Sequence, residues 1–260
     1  MTIHWHKFFV SIAFLVVCEV ATAGPLEEAG ASFSEKDFLS AQVLFSGALT
    51  EVFLSEEIKY TEDFSEEIVK KALSEYGWTL FSLGQYEASK IVFIKLSGLD
   101  ENSFGAALGI AWNAVKLEDP DAAAHLNAAK KLGKKTEVPS VYDALGWLAL
   151  NNKDFKAAKK YFKKEEKGII SAFGVAYSPD PKVGQAWLEI HQGNWRKAEK
   201  AFKIGLRRDP NCLYCRDGLA RVSLQAGKLK KALIHAKEGA KLARHNYGLV
   251  ALVSEILFKI

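Results

Sequence analysis

The chain has 260 residues, 49% hydrophobic, 25% charged and 12% aromatic, with only 6 Pro. That is enough apolar material for one or two globular domains or one medium solenoid, and it excludes an intrinsically disordered chain. The net charge of +4 is unevenly spread: residues 24–70 carry 11 acidic and 3 basic side chains, whereas 128–260 carry 27 Lys+Arg against 12 Asp+Glu.

Residues 1–23 read as an export signal. Lys7 supplies a positive start, Phe8 to Val17 is a short apolar run, and Ala21-Thr22-Ala23 offers a small-x-small cleavage site before Gly24. The run is too short and wrongly flanked for a stable span. A lipid-modified Cys18 is the weaker alternative, because Val17 stands where a small residue is needed. The mature protein is therefore expected in the periplasm or secreted.

Residues 24–69 read as an irregular helical hairpin, with 26–34 pairing with a helix that carries Phe38, Ala41, Phe45 and Ala48, followed by an acidic connector from 55. Pairs such as Glu56-Glu57 and Glu66-Glu67 look like solvated helix starts. From residue 70 a spaced pattern takes over. Small residues recur at Ser89, Ala123, Ala158, Ala198 and Ala232, in steps of 34, 35, 40 and 34. Four residues later stand Phe93, Asn127, Phe162, Phe202 and Ala236; three residues earlier stand Tyr86, Pro120, Phe155, Trp195 and Leu229. Spacings of three and four place these side chains on one helical face. Helical hairpins follow at about 70–100, 104–134, 139–168, 182–209 and 213–245. The step of 40 leaves about six extra, apolar residues near 168–181, expected to extend a helix or pack back before Pro179-Asp180-Pro181 breaks it. Residues 247–260 read as a closing helix, too apolar to present a purely polar outer face, and expected to bury more than one side.

Gly193, Trp195, Ala198, Phe202 and Pro210, with weaker sets at Gly77, Gly84, Tyr86, Phe93 and at Leu145, Gly146, Phe155, Ala158, Phe162, resemble the tetratricopeptide repeat family. The resemblance covers about 70–247 and, more weakly, 37–54. It departs from the pattern at Glu118 and Pro120, and only one unit keeps the terminal Pro. It implies an all-α, right-handed superhelical solenoid of antiparallel helix pairs, five to six hairpins over 24–246 plus a cap at 247–260, acting as a protein-interaction scaffold.

Counting each unit from 70, 104, 139, 179 and 213, the ninth residue is Trp78, Trp112, Trp147, Trp187 and Arg221, and the twelfth is Phe81, Val115, Leu150, Ile190 and Leu224. The resemblance implies that the ninth position faces the groove, giving an apolar furrow for a peptide or partner-protein segment, with His191 beside it. The other reading is that the indoles fill space between helices. The carboxylate clamps of the family use Lys, Arg and Asn in that column, so a free C-terminal carboxylate is not the favoured ligand.

Cys212 and Cys215 form a CxxC at a helix start, read as a disulfide staple, a redox pair or half a metal site. Phosphate loops, HExxH and nucleophile elbows are missing, so neither catalysis nor a metal or other cofactor is expected. The basic second half reads as solvated helix faces or as a surface for an acidic partner or anionic surface, peripheral to a membrane. Nucleic acid is not expected, and 247–260 offers a route to oligomers.

Overall fold

A computed structural model describes residues 24–54, 64–173, 180–242 and 247–260. The leader at 1–23 with Cys18, the pair Glu56-Glu57, and residues 174–179 of the apolar stretch, Pro179 included, lie outside the described residues. The chain divides into two compact units, 1–101 and 102–260. The boundary falls inside the stretch that the spacing reads as one run of repeats.

The first unit holds α1 (Pro25–Ser34), α2 (Phe38–Ala48), the short α3 (Thr50–Leu54), α4 (Glu66–Ser82) and α5 (Tyr86–Leu99). The second holds α6 (Phe104–Lys116), α7 (Ala122–Leu132), α8 (Val138–Asn151), α9 (Phe155–Phe173), α10 (Asp180–His191), α11 (Trp195–Arg208), α12 (Leu213–Gln225), α13 (Leu229–Leu242) and α14 (Tyr247–Lys259). The fold is all-α, built of helix pairs. The weak hairpin before residue 55 is present as α1 and α2, with Ala41 and Phe45 fully buried. The extra residues after 168 extend α9 through Phe173.

Every pair turns in the same way. One residue takes a left-handed backbone: Lys36, Gly84, Glu118, Lys153, Gly193 and Gly227, with φ between 55° and 77°. The next residue's N–H donates to a carbonyl five residues back, as in Asp37 to Ser32, Gln85 to Leu80, Asp119 to Ala114 and Asn194 to Glu189, at 2.8–2.9 Å. This bond satisfies a carbonyl that the helix end would otherwise leave open and reverses the chain within three residues. The following helix is then capped where a polar side chain is at hand: Asp37 accepts from the Ser40 N–H, and Asp154 from the Ala157 N–H at 2.9 Å. Three of the six left-handed positions carry Lys or Glu, so glycine spacing alone does not reveal them.

The core repeats as well. Phe93, Phe162 and Phe202 are fully buried, and each projects from a second helix onto glycines of first helices. A Cβ on Gly77 would lie 2.6 Å from Phe93 Cζ, and one on Gly146 2.9 Å from Phe162 Cζ. Gly184, on the next first helix, meets the same ring carbons of Phe162, with a Cβ 2.7 Å from Cζ. The ring thus locks its own hairpin to the following one. Ser89 replaces the small apolar residue in α5, and its buried hydroxyl donates to the Gly77 carbonyl at 2.8 Å.

Two expectations need correction. In α7 the buried residues are Ala122, Leu126 and Ala129, while Ala123 and Asn127 are exposed. The Asp119-Pro120-Asp121 turn starts α7 late and shifts its packing face by one residue. The closing helix α14 buries one stripe, Leu249, Leu252 and Ile256, against Ala220, Ala232 and Ala236. Val253 packs partly on the same cluster, whereas Val250 and Leu257 are exposed and Phe258 is 93% exposed.

Candidate functional site

The ninth-position residues hold one structural register. Trp78, Trp112, Trp147, Trp187 and Arg221 each stand six residues before the left-handed residue of their turn. Trp78 belongs to the first unit and the other four to the second. Within the second unit, α6 touches α8, α8 touches α10, and α10 touches α12, so the first helices form one layer. The second helices pack on its other side, each against its own and the following first helix.

Each indole is half-buried rather than free. Trp147 meets Phe162 edge-on, with centroids 5.9 Å apart and planes at 78°, and Trp187 meets Phe202 at 5.8 Å and 81°. Trp78 repeats the contact on Phe93 at 5.1 Å in the first unit. One edge of the indole therefore completes the hairpin core, and the remainder reaches solvent. The packing reading accounts for one edge of each of these rings, and the exposed remainder is the part that the binding reading concerns. Trp147, Trp187 and Ile190 all pack on the cluster formed by Val183, Ala186, Ala198, Phe202 and Leu219, so they cover one apolar core.

At the end of this row Arg221 replaces the indole. Its guanidinium carbon lies 5.9 Å from the Trp187 ring centroid, within cation–π reach. Its Nε donates to Asp217 Oδ1 at 2.8 Å, one helical turn back. Burial pushes the Asp217 carboxyl up, opposed by the charge and hydrogen bond of Arg221. Asp217 therefore aims the guanidinium and answers part of its charge. The i,i+4 spacing of Asp217 and Arg221 was open to sequence reading but points equally to an ordinary surface pair. The combination can take an apolar segment against the indoles, with a polar group of that segment at Arg221.

The twelfth-position column does not form a furrow. Leu150 is 3% exposed and Val115 is also buried, so neither can touch a partner. They lie buried in the core beneath the ninth-position column. Phe81 is half-buried between Trp78 and Tyr86, with centroids at 5.5 and 5.3 Å. His191 is exposed and lies beside the Phe155 ring at 6.3 Å, at the turn end of α10 rather than among the indoles.

Cys212 and Cys215 are joined by a disulfide, and both are buried in the cluster between α11 and α12. The Cys212 sulfur also accepts from the Cys215 N–H at 3.2 Å, serving as the helix cap. That burial fits a staple better than an exchange centre. Among the described residues no group of three or more His, Cys, Asp or Glu is placed to hold a metal ion, and no helix is long and apolar enough to cross a membrane.

The sequence profile of the tetratricopeptide repeat matches residues 71–103 and 139–164. Trafficking protein particle complex subunit 12 of Homo sapiens is 30% identical over 95 residues, which is 36% of this chain and 13% of that protein. The chain therefore spans a small part of this curated relative. The Rap protein complexed with competence and sporulation factor superposes on 90% of this chain and 74% of its own, with a TM-score of 0.61 at 14% identity. Yeast Tom70 superposes on 90% of this chain and 53% of its own, with a TM-score of 0.57 at 19% identity. Both solved structures share the fold of stacked helix pairs. Together with the six recurring turns and the Phe-on-Gly packing, these matches show tetratricopeptide repeats at 71–103 and 139–164 within an all-α fold of stacked helix pairs.

Proposed function

We propose that this protein is an exported, non-catalytic scaffold whose first-helix layer in the second unit holds a peptide or partner-protein segment. One observation carries the reading. Trp112, Trp147, Trp187 and Arg221 occupy the same register on first helices that touch in succession, and the three indoles are partly exposed. Half-buried tryptophans have rigid rings already ordered by Phe162 and Phe202, so a partner gains contact area with little further loss of entropy. Export rests on the leader pattern at 1–23. That the Rap protein was solved with competence and sporulation factor gives one occupied relative of the fold.

The test uses a displayed peptide library selected on the full mature chain. Winning peptides should bind Trp147→Leu/Trp187→Leu at least ~10-fold more weakly, while the far-ultraviolet helix signal stays unchanged. Peptides that bind both proteins equally would place the site elsewhere.

A second reading is supported by α14. Leu257 and Phe258 are exposed on the last helix and Ile260 directly after it, which suits a structural subunit that assembles through this end. Sedimentation at increasing concentration should then show a larger species that Leu257→Ser/Phe258→Ser abolishes; a monomer throughout would dismiss it.

A further inference from the structure

The two helix layers of the second unit differ sharply in charge. The second helices α7, α9, α11 and α13 carry 18 Lys+Arg against 4 Asp+Glu, whereas the first helices α6, α8, α10 and α12 carry 4 of each sign. The excess that the sequence spreads over its second half is thus sorted onto one helix layer of the second unit. It is densest on α9, where Lys156, Lys159, Lys160, Lys163, Lys164 and Lys167 are all exposed. Among the described residues, ion pairs engage Lys197, Lys203, Arg208, Lys231 and Lys241 in this layer, and none of the six α9 lysines has a carboxylate partner. Neighbouring second helices also converge their charges. Lys130 from α7 and Lys164 from α9 each hold an ammonium 5.3 Å from the centroid of the same Tyr142 ring.

We infer that this second-helix layer docks on an anionic lipid bilayer. Three features favour a bilayer over an acidic protein segment or a nucleic acid. The cations are 15 Lys and 3 Arg. Lysine is a mobile point charge suited to a diffuse field of headgroups, whereas paired recognition of carboxylates and phosphates draws on the arginine fork. The charges are spread over four helices, and the six α9 lysines border a shallow, open hollow. Lastly, large apolar side chains emerge at the C-terminal ends of second helices: Leu132 of α7 is 37% exposed, Ile170 of α9 44% and Leu242 of α13 41%. Each lies within three residues of a lysine, at Lys131, Lys167 and Lys241. All second helices run in the same direction through the repeat, so these tips share one edge. Apolar tips flanked by lysines suit insertion into the headgroup region while the ammonium groups meet lipid phosphates.

The experiment is flotation of the full mature chain with vesicles of phosphatidylcholine alone and with about one-third phosphatidylserine. The chain should float with the anionic vesicles at low salt, stay behind with the neutral ones, and release as salt screens the surface. Lys156→Gln/Lys160→Gln/Lys163→Gln should lower partitioning by more than ~100-fold, from about fivefold per lysine near such a surface. These side chains are exposed, so the variant keeps its fold, as circular dichroism will verify. Trp147→Leu/Trp187→Leu should float like the wild type, which separates this surface from the proposed groove. Failure to float with anionic vesicles overturns the inference, as does equal flotation of the triple lysine variant. A polyglutamate chain or a single-stranded oligonucleotide that binds at the same salt while anionic vesicles do not would assign the layer to that partner instead.

Discussion

The Phe162 wedge predicts that one substitution reverses its sign with position. Glycine to alanine inside a helix ordinarily stabilises by up to ~1 kcal/mol. Gly98, in α5, has nothing within 4 Å of a Cβ, so Gly98→Ala should follow that rule. At Gly184 the new methyl would stand 2.7 Å from Phe162 Cζ, and nearer to two other ring carbons, where ordinary carbon contacts need about 3.5–4.0 Å. The ring cannot yield. It is fully buried, Gly146 presses on it from α8, and Trp147 lies edge-on at 5.9 Å. Overpacking of this kind costs about 1–3 kcal/mol, and a fully buried ring already pressed by two helices belongs at the upper end. Against a helix gain of ~1 kcal/mol, Gly184→Ala should lose about 1–2 kcal/mol net. Phe162→Leu alone leaves a gap and also destabilises. In the double variant the smaller side chain accommodates the methyl, so the loss should fall short of the sum by more than ~1 kcal/mol. Urea unfolding followed by far-ultraviolet circular dichroism gives all four values. Additivity within ~0.5 kcal/mol, or a Gly184→Ala gain like that of Gly98→Ala, would refute the wedge as the link between successive repeats.

The remaining expectations concern turns, titration and the staple. Lys153 holds a left-handed backbone at φ 59°, so Lys153→Gly should raise stability by about 0.5–1 kcal/mol in the same assay, and Gly193→Ala should lower it. Glu166 is pushed up by burial, but hydrogen bonds from Lys182 and Gln185 and the charges of Lys182 and Arg208 outweigh this and hold its carboxyl below the ordinary 4.5. The unfolded chain therefore takes up this proton first, stability falls as pH drops below 4.5, and Glu166→Gln should flatten that part of a stability–pH curve. Burial, with Arg216, Lys231 and Lys203 nearby, depresses His235, so its contribution is present above pH 6.5 and is lost as pH falls below it; His235→Asn should remove that slope. Reduction of the Cys212–Cys215 bond should cost at most about 2 kcal/mol, the entropy of so short a loop, and thermal melts with and without reductant will measure it.

The helix pairs were legible because their spacing is imposed by geometry. A second helix must present a small residue to its partner and, one turn later, a side chain that fills the crossing, and Ala158/Phe162 and Ala198/Phe202 display this openly. The register failed in α7 because Ala122, Ala123 and Ala124 are interchangeable by composition, and only the depth of the Asp119-Pro120-Asp121 turn decides which one is buried. The turns at Lys36, Glu118 and Lys153 were hidden for a related reason: the backbone there is fixed by a hydrogen bond to a distant carbonyl, and no side chain announces it. The Trp register was legible for the same cause as the pairs. Its chemistry was not, because an indole that completes a core and one that lines a surface leave the same trace in sequence, and Trp147 and Trp187 do both.

That double role limits what any tryptophan substitution can report. Trp187→Ala would remove a partner contact and, in the same step, uncover the edge of Phe202, so loss of binding and loss of stability would arrive together. Arg221 separates them. It sits in the same column, one repeat on, yet it is exposed and leans on the Trp187 ring from outside. Arg221→Ala should lower stability by no more than about 1 kcal/mol: the guanidinium is exposed and its solvated cation–π contact is small, but the largely buried Asp217 carboxylate loses this partner. If partner segments pass over the column, peptides selected on the wild type should lose at least ~5-fold in affinity to this variant. Unchanged affinity for Arg221→Ala, beside a loss for Trp147→Leu/Trp187→Leu that tracks their loss of stability, would mean that the indoles serve the hairpin alone.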